Sequence, residues 1–321
     1  MPKVFVTRKI PDAGIKLLEE KGFDVEVSDF DGVLPREQLL AKVKGADAIL
    51  SLLTDKMDAE VMDAAGPRLK IIANYAVGVD NINLKDALAH NVIVTNTPGV
   101  LTESVAEMAI ALIFATARHI AEADKFMRGG QYHGWAPMLF LGNDVAQKTL
   151  GLVGLGRIGA VVAQRMKKGF EMNVLYYDVN RNAELEQKLG IKYASLDELL
   201  AQSDFVSVHV PLLPATKHLI GAEQLKRMKK TAYLINTSRG PVVDEAALVE
   251  ALKNGIIKGA GLDVFEAEPA MAPGLAELDN VIVAPHIASA TEETRGAMSE
   301  LAAKNIIEVL EGRAPLTQIK I

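Results

Sequence analysis

The segment INTSRGPVVDE, residues 235–245, ends an apolar run in Thr237-Ser238-Arg239-Gly240-Pro241. Strand–helix alternation puts that run in an open parallel sheet, where ligands bind beyond the carboxyl ends of the strands. Gly240 and Pro241 turn the chain off the strand, which leaves Arg239 at the mouth of a ligand crevice. A guanidinium is a planar fork that grips a carboxylate through two hydrogen bonds, so anion binding is the chemistry expected of Arg239. Two more strand ends point the same way. GLDVFEAEP puts Asp263 at a strand terminus and Glu268 just beyond, and VIVAPHIASAT puts His286 at the end of the last strand. An imidazole exchanges a proton near neutral pH, and a carboxylate beside it stabilises the protonated form. Of the six histidines, His286 alone has an acidic candidate partner; His119 reads as a helix-face residue, His90 and His218 as loop or surface residues, and His133 lies in an irregular loop. None pairs as H-x-x-x-H or H-E-x-x-H, so no metal site is expected.

A second chemical signal is Gly154-Leu155-Gly156-Arg157-Ile158-Gly159, which fits G-x-G-x-x-G between a strand and a helix, with Asp178 at the end of the next strand. Gly154 permits the tight turn, Gly156 lets a pyrophosphate approach the backbone, and Gly159 lets helix and strand pack closely. The helix N-terminus then offers unpaired N–H groups and partial positive charge to the phosphates, and Arg157 is placed to add a side-chain contact. A carboxylate at 178 accepts both ribose hydroxyls of NAD and repels the 2′-phosphate of NADP. Arg181, three residues on, can partly accept that phosphate, so NAD (as NADH) is expected to be preferred while NADPH use stays possible.

The elements that position these residues follow from periodicity. Strands are expected at 3–7, 24–29, 48–53, 70–76 and 92–96, with helices at 13–21 and 36–44 between them. A long helix follows, with Ser104 and Glu107 at capping-box spacing and a core stripe of Val105, Met108, Ala109, Leu112 and Ile113 that Ile120 continues. The stretch 129–142 breaks the pattern; it carries the sole tryptophan, Trp135, and an apolar MLFL run, and is expected to pack on another domain or a partner subunit. A second alternation gives strands at 149–154, 173–178, 205–210, 232–237, 259–264 and 281–285, and a closing helix from about 291 to 311. The expected fold class is α/β, as two doubly wound parallel-sheet, Rossmann-like domains with a cleft between them. Residues 1–99 plus 290–321 would form a flavodoxin-like substrate domain, and 100–289 the NAD-binding Rossmann domain.

Composition narrows the class further. The chain has 321 residues, 49% of them hydrophobic, and a formal net charge of −6, with no basic stripe of the kind that neutralises nucleic-acid phosphates. With no cysteine, disulfides, cysteine–zinc sites and cysteine nucleophiles are excluded. The N-terminal MPKVFVTRK lacks the apolar core of a signal peptide, and the longest strongly apolar stretch, 108–117, is about half of what a membrane span requires. A cytoplasmic protein without nucleic-acid or membrane partners is expected.

GLVGLGRIG, HVPLLPAT, LINTSRGPVVDE, GLDVFEAEP and APHIASAT together resemble the D-2-hydroxyacid dehydrogenase family along the whole chain. HGWAPMLFLGNDVAQKTLGLVGLGRIG is most similar to its glyoxylate and hydroxypyruvate reductase branch. The resemblance implies that Arg239 binds the substrate's carboxylate and carbonyl region, that His286 donates the proton in reduction, and that Glu268 holds His286 and favours its protonated form. It sets backbone groups of Val77 and Gly78 against the substrate carboxylate. It places Thr102, His209, Thr216 and Asp263 along the cofactor, and their motif neighbours Val210, Pro211, Thr237, Ser238 and Ala288 with them. It also implies a homodimer, for which 129–142 and the long helix are the candidate surfaces. Within the loop SLLTDK Lys56 is the only cation, so a small substrate near Leu52 is expected rather than the phosphorylated one of a phosphoglycerate dehydrogenase. Formate dehydrogenases carry glutamine where Glu268 stands. A reading of another class, an NAD-sensing corepressor-like binding module, lacks support from a basic charge or long extensions.

Overall fold

The structure is a computed structural model that describes residues 1–320. The chain divides into two compact units, residues 1–101 with 290–321, and residues 102–289. The first contains a five-stranded parallel sheet built from β1 (Lys3–Val6), β2 (Asp24–Val27), β3 (Ala48–Ser51), β4 (Ile71–Asn74) and β5 (Ile93–Thr95). Its order, β2-β1-β3-β4-β5, is doubly wound and reverses between β1 and β3. Phe5, Ile49 and Ile72 are fully buried on one face among Val61, Met62 and Val94. Helices Asp12–Glu20 and Glu292–Leu310 cross so closely that a Cβ on Gly14 would lie 2.2 Å from the Ser299 carbonyl oxygen.

The second unit contains β6 (Thr149–Val153), β7 (Asn173–Tyr177), β8 (Lys192–Tyr193), β9 (Phe205–Val208), β10 (Tyr233–Asn236), β11 (Gly259–Leu262) and β12 (Val281–Val283). They form one parallel sheet in the order β12-β11-β10-β9-β6-β7-β8, which reverses between β6 and β9. Alternate residues feed opposite cores, as parallel strands covered on both faces require. Along β10, Leu234 joins a cluster with Leu200, Leu225 and Leu248, whereas Tyr233 and Ile235 join Leu112, Ile113, Val162 and Met166. Full burial of such a side chain contributes about 1.5–3 kcal/mol.

The expected strands exist, but their carboxyl ends stop one or two residues early. Thr237 and Asp178 thereby lie just outside the ladder, His209 keeps one backbone bond, to the Val153 carbonyl at 2.8 Å, and His286 lies three residues beyond β12. The two-residue edge strand β8 was not expected, being too short to show a period. Two helix expectations are corrected. The long helix is Thr102–Ala117, so Ser104 is buried within its first turn instead of capping it, and Glu107 pairs with Arg165 at 3.0 Å. The stripe ends at His119, whose backbone is left-handed at φ 55°; a second helix, Ile120–Arg128, departs at 62°, and Ile120 is exposed. Among the described residues no single helix is long and apolar enough to cross a membrane. In the segment 129–142 Phe140 packs edge-on against Phe126 at 5.3 Å, but Trp135 is 83% and Met138 75% exposed.

Candidate active site

An arginine follows this buried strand for a local reason, which lies in β10. Its last residue, Asn236, is buried, and its Oδ1 accepts Ser238 N–H at 3.0 Å and the Ser238 hydroxyl at 2.8 Å, while its Nδ2 donates to the Arg239 carbonyl at 3.0 Å. One amide therefore writes the turn, as asparagine does wherever it mimics a backbone turn. A Cβ at Gly240 would sit 1.8 Å from the Phe265 carbonyl oxygen, so only glycine lets the two strand-end loops touch. Arg239 is half-buried and donates from Nη1 to the Ser238 carbonyl at 2.8 Å.

Asp263, the first residue after β11, is completely buried. Its two carboxylate oxygens accept Ile287 N–H and Ala288 N–H, both at 2.8 Å, and its carbonyl accepts His286 N–H at 2.9 Å. Burial raises its pKa, against the opposing pull of those two N–H groups. His286 has φ 54°, a left-handed backbone that costs a residue with a Cβ roughly 1–2 kcal/mol. The Asp263 bonds hold it there. The imidazole Nδ1 lies 2.9 Å from Glu268 Oε2, and Glu268 Oε1 accepts Phe265 N–H at 3.0 Å. An ionised carboxylate only accepts, so Nδ1 carries the hydrogen and Nε2 is left to gain or lose a proton.

Burial alone would raise the Glu268 pKa, but the His286 hydrogen bond and charge, the Phe265 N–H and the Arg239 charge together hold it below its ordinary value. The three side chains thus meet electrostatically within one unit. The sign of the pH dependence follows. Above the ordinary value of 4.5 both folded and unfolded chains are ionised at this site, and the contribution is complete; it is lost as pH falls through the depressed folded value, where the native state must take up the proton. Urea-unfolding curves from pH 7 to pH 3 should show wild type losing stability relative to Glu268→Gln at the acid end. Parallel pH profiles would contradict the pairing.

Sequence reasoning missed the brace behind Glu268. Glu245 is buried, and its carboxylate accepts Glu266 N–H at 2.7 Å and Ala272 N–H at 2.8 Å, one on each side of Glu268. Glu266 in turn meets His218 Nε2 at 2.6 Å. The only sequence hint was an acidic pair, Asp244-Glu245, which reads as an ordinary helix start. The expectation that His286 alone has an acidic partner is also corrected. His90 meets Asp63 at 2.9 Å, His119 meets Glu122 at 2.7 Å, and His218 meets Glu266. His119 sits at a helix break, not on a helix face. His286 is set apart by its strand-end position and by Arg239, not by having a carboxylate.

The cofactor candidates lie at the β6/β9 reversal. Gly154 has φ 101°, and a Cβ there would lie 2.9 Å from the His209 carbonyl group; a Cβ on Gly159 would lie 2.3 Å from the Gly154 carbonyl oxygen. At Gly156 a Cβ meets nothing within 4 Å, so the space above the turn is open. Gly156 caps helix Arg157–Phe170 without a side-chain bond, leaving the first N–H groups to a ligand. Arg157 is exposed, and Ile158 packs against the core. Asp178 Oδ2 accepts Leu155 N–H at 2.8 Å and Oδ1 accepts Asn180 N–H at 3.1 Å, which ties the glycine turn to the end of β7. Arg181 is engaged elsewhere, in two 2.8 Å bonds to Glu186.

His209 bonds Ser207 Oγ at 2.9 Å, and burial pushes its pKa down to about 4, so it is neutral at pH 7. Thr216 Oγ1 donates to the Pro211 carbonyl at 2.6 Å and accepts Leu213 N–H at 2.8 Å, closing the loop that holds Val210. Thr237 Oγ1 is buried and has no hydrogen-bond partner among the described residues, a polar atom that a bound group can satisfy. Ala288 is buried beside His286, and Thr102 opens the long helix. These residues fit a dinucleotide: an open glycine turn, a free helix N-terminus, a ribose carboxylate and an orphaned hydroxyl. Among the described residues no three His, Cys, Asp or Glu are grouped as a metal ion would need. In the other unit, Leu52 follows β3, and Val77 and Gly78 lie in the loop after β4.

Comparison with known proteins agrees with this chemistry. The D-isomer specific 2-hydroxyacid dehydrogenase, NAD binding domain, matches residues 110–288. A glyoxylate reductase of Korarchaeum cryptofilum is 52% identical over 98% of this chain and 94% of its own. The crystal structure of a glyoxylate reductase from Paecilomyes thermophila superposes with a TM-score of 0.88 at 33% identity, covering 99% of this chain and 98% of that one. An NADPH-dependent glyoxylate/hydroxypyruvate reductase from Sinorhizobium meliloti, solved with NADP and malonate, has a TM-score of 0.86 at 34% identity, covering 99% of this chain and 96% of that one. By that family match and these identities over nearly the whole chain, it belongs to the D-isomer specific 2-hydroxyacid dehydrogenases, NAD-dependent oxidoreductases acting on 2-hydroxy acids.

Proposed function

We propose that this enzyme reduces glyoxylate to glycolate and hydroxypyruvate to D-glycerate, with NADH preferred. The observation that carries the chemistry is the 2.9 Å pair of His286 Nδ1 and Glu268 Oε2, with Arg239 near enough to lower the Glu268 pKa. The substrate assignment draws on the similarity to glyoxylate reductases. Glyoxylate and hydroxypyruvate differ by one hydroxymethyl group, which a pocket separates weakly without a dedicated hydrogen bond.

In this reading the reduced nicotinamide, when bound, supplies the hydride. Arg239 grips the substrate carboxylate and stabilises charge at the carbonyl. As negative charge develops on the carbonyl oxygen, His286 delivers the proton from Nε2; in the oxidative direction Nε2 removes it. Glu268 fixes the ring's orientation and stabilises its cationic form, and Asp263 keeps the His286 backbone in place. The glycine turn 154–159 and helix N-terminus would hold the pyrophosphate and Asp178 the adenosine ribose, with Thr237 and Ala288 as further cofactor contacts. Residues 1–99 with 290–321 form the substrate domain, with Leu52, Val77 and Gly78 in contact with substrate, and 100–289 the cofactor domain.

A spectrophotometric panel of glyoxylate, hydroxypyruvate and pyruvate with NADH and NADPH tests the proposal; turnover of none of these acids would overturn it. Asp178→Ser should raise KM for NADH about tenfold and shift the NADPH/NADH ratio of kcat/KM upward by at least as much. An unchanged ratio would remove Asp178 from cofactor choice. Because Arg181 is committed to Glu186, it adds little to NADPH use in the wild type. The exposed Trp135 and Met138, in a segment too apolar to favour water, support a homodimer through 129–142. Sedimentation of a chain truncated in that segment should show monomer. The absence of cysteine is in keeping with a cytoplasmic enzyme.

A further inference from the structure

Three asparagines in the first unit lead to a further conclusion. Each of the three substrate-contact candidates there has its carbonyl held by an asparagine side-chain amide. Asn81 Nδ2 donates to the Leu52 carbonyl at 3.0 Å, Asn96 Nδ2 to the Val77 carbonyl at 2.8 Å, and Asn74 Nδ2 to the Gly78 carbonyl at 2.8 Å. Thr97 N–H adds a bond to the Ala76 carbonyl at 2.8 Å. Asn74 is completely buried, and Asn81 also bonds it, at 3.0 and 3.2 Å. In the loop after β4, three consecutive carbonyls, those of Ala76, Val77 and Gly78, are held in this way, two of them by asparagine amides.

Their effect follows from the planarity of the peptide. In a trans peptide the C=O and the following N–H point in opposite directions, so fixing one fixes the other. The bond from Thr97 to the Ala76 carbonyl therefore aims Val77 N–H, and the bond from Asn96 to the Val77 carbonyl aims Gly78 N–H. The peptide bonds of this loop are trans. Among the described residues neither Val77 N–H nor Gly78 N–H has a hydrogen-bond partner. Val77 is 37% exposed and Gly78 is partly exposed. Two adjacent donors left unpaired, on a backbone pinned from behind at every carbonyl, make a preorganised receptor for an anionic oxygen.

We propose that Asn96 is a positioning residue for substrate binding: by holding the Val77 carbonyl it orients Gly78 N–H toward the substrate carboxylate, and Asn74 locks the following peptide plane. This rests on the reading that Val77 and Gly78 receive that carboxylate. Asn96 touches no reacting atom. Because the carboxylate is bound alike in the ground and transition states, its loss acts on KM and spares kcat.

Asn96→Asp is nearly isosteric, removes the donor and sets an anion against the Val77 carbonyl. It should raise KM for glyoxylate about tenfold to a hundredfold, leave kcat within about threefold, and leave the NADH dissociation constant, read by NADH fluorescence, unchanged. Asn96→Ser should act in the same direction, and either variant, if folded, decides the matter. With methyl glyoxylate, which has no carboxylate charge, wild type and variants should turn over alike. An unchanged glyoxylate KM, or a kcat loss shared by both substrates, would overturn the role of Asn96. Gly78→Pro separates this from the underlying reading, because it deletes the N–H itself. If Gly78→Pro raises the glyoxylate KM while Asn96→Asp does not, the proposal fails and the reading stands. If Gly78→Pro leaves KM unchanged, both fall. Should that variant not fold, the Gly78 amide resonance of wild type, followed on adding oxamate, decides the reading: a downfield shift supports it and no shift ends it.

Discussion

His286→Ala should lower kcat for glyoxylate reduction by roughly two to four orders of magnitude, the usual worth of a positioned general acid. The loss should persist when substrate and NADH are saturating, because the group that delivers the proton is gone. NADH binding should change little, since the glycine turn, Asp178 and the helix N-terminus are untouched. His286→Gln is the sharper control. It keeps a side chain of similar reach for the Glu268 contact but cannot deliver a proton, so it should lie close to the alanine variant in kcat. Rapid-quench measurement of a single turnover checks that the chemical step, not product release, has slowed. A kcat within threefold of wild type in both variants would remove His286 from the reaction.

Arg239→Ala should lower kcat/KM by roughly three orders of magnitude, combining the loss of a charge-assisted pair with loss of stabilisation at the developing oxyanion. Unlike the Asn96 variants, it should raise KM and depress kcat together, because in the proposed mechanism the guanidinium serves both the carboxylate and the reacting carbonyl. Added guanidinium ion should restore part of the rate, whereas Arg239→Lys should recover little, a point charge lacking the planar fork. The variant also removes a cation that keeps Glu268 ionised, so its pH profile should be disturbed on the acid side. Steady-state constants equal to wild type would refute the assignment.

These residues could be named from the sequence because of where parallel strands end. β-branched runs such as those of β9 and β10 are short and regular, and the residues that leave the ladder after them stand out as polar groups in an apolar frame. The glycine turn was legible for the same reason: its spacing, the following helix and Asp178 constrain one another. What was hidden depended on contacts made across long intervals. Glu245 reads as an acidic residue in the first turn of a helix, yet its partners lie 21 and 27 residues away. His218 finds Glu266 across 48 residues. The break at His119 was masked by an apolar pattern that continues on both sides of it, although only one side is buried. The asparagines behind Val77 and Gly78 look like loop residues, since nothing local shows that their amides turn inward to carbonyls.

The contact at Gly240 has a practical outcome for altering this enzyme. With no side chain between them, the loop that carries Arg239 and the loop that carries Glu268 are wedged together, so neither can shift without displacing the other. Substitutions in the two loops should then be strongly epistatic, in contrast to the near-additivity of distant sites. A library that varies residues near 239 alone would mostly sample packing defects against the Phe265 loop; productive changes are to be sought by varying both segments at once.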